Sequence, residues 1–364
     1  MGVTEIQLSV RKTITISPPR LREFIECLLR AVGCEEPTAQ IAAEIFLEAD
    51  LRGIGLQGLD HVHTMIRAIQ RGHVDPRGKP RVVKEGAAFA LIDGARGPGQ
   101  VAASLAVEVA LSKGREAGTC SVGIGNSSDI FMLGYYAERI ARGGLIGLVF
   151  TGSPPQVHPF GGVDPTLGTN PLAISFPTDG DPVLIDMATS ALSASRIRQA
   201  SYFGETVADG VGVDANGTPT NVPAEIRSGG AIGPLAGHKG FALSLAVALL
   251  SGPLVGAQVG HELRGWFSEE KGPQGMRGHF ILAIDPGCFG DAQTFRRAVT
   301  AYLNEIKGSR RAAGVSTILI PGERTFETRR RSLQEGVLLY EAVWQRAAKL
   351  AQELGVAVPV PIGA

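Results

Sequence analysis

The chain has 364 residues, enough for a full hydrophobic core built as one unit or as two to three subdomains. Its 35 Lys and Arg balance 35 Asp and Glu, so no global field draws nucleic acid or an anionic membrane, and small, neutral ligands or recognition by local charge are expected. Four scattered cysteines, with no CxxC pair and no histidine at ligand spacing, argue against a metal site or a disulfide framework and fit a reducing cytoplasm.

The opening MGVTEIQLSVRKTITISPP lacks the apolar core of a signal peptide and alternates polar with β-branched residues, as an edge strand or a loose arm would. Ser17, Pro18 and Pro19 open a predicted helix to about residue 32, and Pro37 starts a second with Ile41, Ile45 and Phe46 on one face. In GIGLQGLDHVH (53–63), Gly53, Gly55 and Gly58 force a tight turn before Leu59, Val62, Met65, Ile66 and Ile69 recur at helical spacing. This helical region closes at GHVDPRGKP.

The period then changes to strands alternating with helices: AAFALIDG, a helix from GPGQ, CSVGIGN, LGYYAERIARGG and LIGLVFTGS. PLAISFPT and PVLIDMATS are two more strands, followed by weak periodicity to about residue 230. The apolar run from Phe241 is broken by Ser244, Ser251, Gly252 and Pro253, too short and punctuated for a membrane span, and reads as a buried core helix. HFILAIDP is a strand, residues 291–306 a helix, STILIPGE a short strand, and the tail is helical, with Arg329, Arg330 and Arg331 on a solvated face.

An α/β enzyme of this size invites a search for GxGxxG after a strand, and that fingerprint is missing. GARGPGQ (94–100) and GIGNSS (123–128) are glycine-rich turns without its spacing, and they read as connections. GHKG (237–240) sets His238 and Lys239 at the start of the apolar helix, where cations oppose the dipole; a bound anion would offset that, and a surface turn is the plain alternative. LGTNP and DMATS gather hydroxyls, an amide and Asp186 at strand ends, where α/β folds bind ligands, although Asp186 equally suits a cap.

The ordered series GTNP, LIDMATS, GHKG, HFILAIDP and IPGE closely resembles the malate/L-lactate dehydrogenase family that is unrelated to the Rossmann-type enzymes of the same names. The resemblance runs from about Pro37 to Glu323. It implies an α/β fold with a non-Rossmann mixed-sheet cofactor domain and a helical domain built from both ends of the chain. Residues 1–78 would pack with 289–364, and 79–288 would carry the sheet, with the cofactor subdomain roughly at 120–250. It further implies a homodimeric NAD(P)-dependent oxidoreductase acting on 2-oxo acids, diketo acids or cyclic imino acids. NAD or NADP would contact Leu184, Ile185, Asp186, Met187 and Ala188, then His238, Lys239 and Gly240, and then Pro321, Gly322 and Glu323, with Thr151 and Ser153 near the nicotinamide.

The substrate side departs from the family pattern. Where members usually carry Ser-His-Gly, with the His as proton donor, this chain has Leu56-Gln57-Gly58; His61 stands where many have an Arg, and Asn-Ser-Asn-His becomes Asn126-Ser127-Ser128-Asp129. Gln57 cannot titrate, and His61, one helical turn beyond it, is the candidate to inherit the acid role. Asp129 suits another chemistry, because a protonated imine needs no acid and gains from a carboxylate by charge attraction. Ordinary 2-oxo acid reduction using His61 or His63, and a cofactor-binding protein that has lost catalysis, are the alternatives.

Overall fold

The computed structural model describes residues 12–263, 271–272 and 276–363; the rest of the predicted N-terminal arm lies outside them. Strand β1 (Thr13–Ile16) leads into α1 (Pro18–Ala31), whose prolines occupy a first turn that needs no N–H partner. Helices α2 (Glu36–Leu51) and α3 (Leu59–Gln70) follow. β1 pairs antiparallel with β12 (Val337–Tyr340), and α11 (Glu341–Leu354) folds back, so that Leu21, Phe46 and Met65 share one core with Val337, Trp344 and Leu350.

The second layer is a seven-stranded sheet formed by β2 (Arg81–Gly86), β3 (Phe89–Asp93), β4 (Thr119–Ser127), β5 (Ile146–Thr151), β6 (Leu172–Phe176), β7 (Val183–Met187) and β11 (Arg277–Ile284). Its order is β2-β3-β4-β11-β5-β6-β7, and only β3 and β4 run parallel. A sheet so paired is not a doubly wound nucleotide fold, which accounts for the missing fingerprint. Helices α4 (Gly99–Ala117) and α5 (Leu133–Arg142) cover one face over Val122, Tyr136 and Ile281. The weakly periodic stretch folds as α6 (Ala194–Phe203), β8 (Gly212–Val213), β9 (Pro219–Thr220), α7 (Pro223–Arg227) and β10 (Ala231–Ile232) around Val157, Ile197 and Ile226.

The expectations for the apolar helix, for residues 316–320 and for the Arg run need correction. Helix α8 (His238–Ser251) is not a buried core helix: Gly240, Ser244, Val247 and Ser251 face inward, while Leu245 and Leu249 are 42% and 52% exposed. His238–Val255 is the one stretch among the described residues long and apolar enough to cross a membrane. Residues 316–320 form no strand, and the ladder partner in this region is β12, which sequence spacing did not reveal. Helix α9 (Ala292–Gly308) lies against the β6–β7 turn, where the Asp179 N–H donates to Thr300 Oγ1.

The Arg run on α10 (Glu323–Glu335) is only partly a solvated face. Arg329 grips Glu48 at 2.7 Å, Glu48 and Glu138 share Arg52 at 2.9 and 2.6 Å, Glu138 and Asp181 share Arg142 at 2.6 and 3.2 Å, and Arg330 reaches Asp181 at 2.6 Å. Arg52 and Arg142 also stack over the Phe326 ring. This ladder ties α2, α5 and α10 to the β6–β7 turn.

Candidate active site

The cofactor-side motifs converge. Asn170, at φ +34 in the GTNP turn, accepts from the Ser153 N–H at 3.2 Å and donates to Ser244 Oγ of α8 at 3.0 Å, while its own N–H donates to Ser153 Oγ at 3.1 Å. Thr189 Oγ1 donates to the carbonyls of Thr169 and Asn170, both at 3.1 Å. One polar lattice therefore fixes the Thr151–Ser153 segment, the end of β7 and the inner face of α8. The Leu184 N–H donates to the Pro321 carbonyl at 3.0 Å, which sets the Pro321–Gly322–Glu323 turn beside β7. Asp186 accepts from the Gly134 N–H at 2.9 Å and so caps α5 across the sheet edge.

His238 and Lys239 are exposed in the first turn of α8, which has no side-chain cap, and the His238 ring meets Phe160 edge-on at 5.8 Å. Uncapped N–H groups beside a lysine form a donor set that fits an anionic pyrophosphate. Of the two other glycine-rich runs, GARGPGQ serves as the β3–α4 connection, whereas GIGNSS is not a turn: residues 123–127 are the end of β4, paired in the sheet. Ser128 Oγ accepts from the Gly99 N–H at 2.8 Å and donates to the Gly97 carbonyl at 2.9 Å, which satisfies the start of α4 without a phosphate.

The residues expected on the substrate side, with their partners, come from five separated segments. Gly58, at φ −95 and ψ −121, breaks the chain between Gln57 and α3, so the i, i+4 relation of Gln57 to His61 does not hold. The break follows from packing: a Cβ on Gly58 would sit 2.0 Å from Asp50 Cγ, and Asp50 caps α3 through the Leu59 N–H at 2.8 Å. Gln57 is half-buried in the 3-10 turn, with no side-chain hydrogen bond among the described residues. His61 stacks edge-on against Phe131 at 5.3 Å and shares its surroundings with Asp129, Arg198 and Arg277. Burial first, then Arg198, push its imidazole down to about 3, so it is neutral at physiological pH.

Asp129 is not a lone carboxylate. Its Oδ2 accepts from Arg277 Nη1 at 2.5 Å and its Oδ1 from the Phe131 N–H at 2.9 Å. Burial works against its charge, yet Arg277 and that N–H hold it below the ordinary carboxylate range. Behind the pair lies His279. Its Nε2–H donates to the Ser128 carbonyl at 2.9 Å and its Nδ1 accepts from the Thr151 hydroxyl at 2.6 Å, a pattern that assigns the tautomer. Burial pushes this ring down to about 4. His279 thus joins Thr151 to the segment carrying Asp129. On the other flank, Asp60 binds Arg198 at 2.8 Å and also Arg346. Among the described residues the cluster thus pairs Arg198 and Arg346 with Asp60 and Arg277 with Asp129.

The profile of the malate/L-lactate dehydrogenase family matches residues 16–347. The chain belongs to this family. A malate/(S)-sulfolactate dehydrogenase of Methanothermus fervidus is 33% identical over 94% of this chain and 98% of the relative. The malate dehydrogenase of Pyrococcus horikoshii superposes with a TM-score of 0.87 at 33% identity, covering 95% of this chain and 97% of that one. The Δ1-piperideine-2-carboxylate reductase of Pseudomonas syringae superposes with a TM-score of 0.84 at 30% identity, covering 93% and 99%. As a member of the malate/L-lactate dehydrogenase family the protein is an NAD(P)-dependent oxidoreductase of small molecules.

Reading the sequence missed Arg277, His279 and Arg198. A signal for the first two was present: Arg277 and His279 stand two apart at the head of an otherwise apolar strand, where alternation puts both on one face, and a bulge between them re-aims the pair. Arg198 lies in the weakly periodic region and carried none.

Proposed function

We propose that this enzyme reduces a small anionic substrate whose carboxylate adjoins the reacting C=N or C=O, with an imino acid favoured over an ordinary 2-oxo acid. The observation that carries the reading is the Asp129–Arg277 pair in a cluster where no imidazole is protonated at neutral pH. Bound NAD(P)H supplies the hydride. Lys239, the start of α8, the edge of β7 and the Pro321–Glu323 turn are the groups that would hold it, and Thr151 and Ser153 would border the nicotinamide. Reduction of a ketone leaves charge on oxygen, and a general acid is worth about 10²–10⁴-fold there. Gln57 donates a hydrogen bond but no proton, and His61 and His279 are neutral. A C=N group that arrives protonated needs no such acid. A 2-iminio carboxylate has adjacent positive and negative charges, matched by the adjacent carboxylate of Asp129 and guanidinium of Arg277.

The test is a panel of cyclic imine-2-carboxylates, pyruvate and oxaloacetate with both reduced dinucleotides. Imine turnover exceeding keto acid turnover supports the reading. Efficient keto acid reduction with imines ignored sinks it and favours His61 as acid, and dinucleotide binding without any turnover favours loss of catalysis.

The open face of α8 supports a second copy as its cover. Leu245, Leu249 and the adjoining Leu254, 60% exposed, form an apolar stripe whose exposure to water is unfavourable at about 25 cal/mol per Å². Light scattering should give twice the monomer mass, and Leu245→Glu with Leu249→Glu should halve it. A cytoplasmic location is proposed on the same footing as the composition that suggests it.

A further inference from the structure

Beyond the turn assigned to the cofactor lies a basic hollow that the reading above does not use. It measures about 600 Å³ and is lined by Lys307, Ser309, Arg310, Arg311, Ser316 and Thr317, three cations and three hydroxyls with no carboxylate. A second hollow of about 490 Å³ shares Lys307 and Thr317 with it and is walled by Val183, Pro321 and Glu323, with Asp181, Glu327 and Arg330 also in its lining. The two are therefore continuous with the start of β7 and the Pro321–Glu323 turn. We propose that Lys307, Arg310 and Arg311 form the seat of the 2′-phosphate of NADP, which makes NADPH the preferred reductant. The proposal rests on the functional reading in one respect, that the nucleotide follows β7 to this turn.

Three observations carry it. An acidic side chain beside the adenosine ribose ordinarily favours the unphosphorylated diol by accepting from it. Here Glu323 is the acid at the turn, and both of its oxygens are engaged: Oε1 by Lys307 Nζ at 2.6 Å and Oε2 by the Ile320 N–H at 3.0 Å. Second, Arg310 has no ion-pair partner among the described residues, and Arg311 donates only to the Ser316 carbonyl, at 2.5 Å, so two guanidiniums stay uncompensated on one loop. Third, arginine forks match the geometry of a phosphate dianion and are its usual recognition groups.

The experiment measures equilibrium binding of NADPH, NADH and 2′,5′-ADP to the whole protein by calorimetry, for wild type and for Arg310→Ala with Arg311→Ala. Both positions are exposed and outside every core, so the variant should fold. Two charge-assisted contacts correspond to a preference of the wild type for NADPH of at least about tenfold. In the variant the ratio of NADPH to NADH affinity should fall towards one, and 2′,5′-ADP binding should disappear. Equal affinity of the wild type for both dinucleotides, or a ratio the variant leaves unmoved, overturns the proposal while the functional reading stands. Inorganic phosphate bound through these arginines without any NADPH preference overturns it too, marking a site for free anions. A protein that binds neither dinucleotide overturns the functional reading and this proposal with it.

Discussion

The two halves of the site are built from different materials. In the half expected to hold the cofactor, Ser153, Asn170, Thr189 and Ser244 bind one another and the backbone through neutral groups; the first three sit on or beside turns or strand ends, and Ser244 on the inner face of α8. On the substrate side, Asp60, Asp129, Arg198, Arg277 and Arg346 make charged contacts between residues up to 286 positions apart. The lesson is that one half is fixed by neutral hydrogen bonds between turns and a helix, and the other by charge pairs between distant segments, where removal of either partner leaves a buried charge.

The contrast breaks most sharply at Arg277. Arg277→Met leaves Asp129 buried without its partner and should cost about 3–5 kcal/mol in denaturant unfolding, together with most of the turnover. Arg277→Met combined with Asp129→Asn should recover the stability but not the turnover; a single variant as stable and active as wild type would show the pair to be incidental. Next in size, Gln57→His with Asp129→His rebuilds the imidazoles of the family pattern. Keto acid reduction should then rise by about 10²-fold in kcat/KM, with imine reduction falling. An unchanged ratio would place these residues away from the reacting carbon.

Thr151→Val probes the seam. It leaves His279 Nδ1 without its hydroxyl partner, a loss of about 1–3 kcal/mol, and should raise KM for the dinucleotide more than for the substrate, read from initial rates. The smallest effect is a slope. Burial raises the Asp50 carboxyl to about 7 despite the Leu59 N–H, so between the unfolded value near 4 and about 7 the folded state holds a proton that the unfolded state has lost. Stability from this group therefore falls as pH rises through that window. His61 and His279, lowered to about 3 and about 4, contribute the opposite slope below their unfolded value. The comparison of Asp50→Asn with wild type isolates the first term, a difference of at most about 1.4 kcal/mol per pH unit in chemical unfolding at stepped pH.

Helices α1–α5 and strands β3–β7 were legible because each segment carries its own period and ends on glycine or proline, as at Pro18, Pro37 and Gly118, whereas the mostly polar β2 and the short α6 and α7 were not. Strand β12 was not, because VLLY is too short for alternation to stand out and its partner lies at the far end of the chain. The exposure of α8 was equally hidden: apolarity says that a face must be covered, not by which chain. For the site, GTNP, DMATS and GHKG were readable as local motifs, and the structure brings GTNP, β7 and α8 together. Asp129 was readable as a departure, but its ion pair was not, since Arg277 lies 148 positions away. The helical register from Gln57 to His61 failed because Gly58 yields to a carboxylate from a neighbouring helix, which no local pattern encodes.

The Arg–Glu ladder beneath the site has an asymmetry of its own. Along Arg329, Glu48, Arg52, Glu138, Arg142, Asp181 and Arg330, each acid bridges two cations, and both ends of the row are arginines. Loss of a terminal guanidinium leaves every remaining acid still clasped, while loss of any acid severs the row and sets two like charges facing each other. The seam between helical and sheet layers therefore tolerates erosion at its rims and fails from its middle.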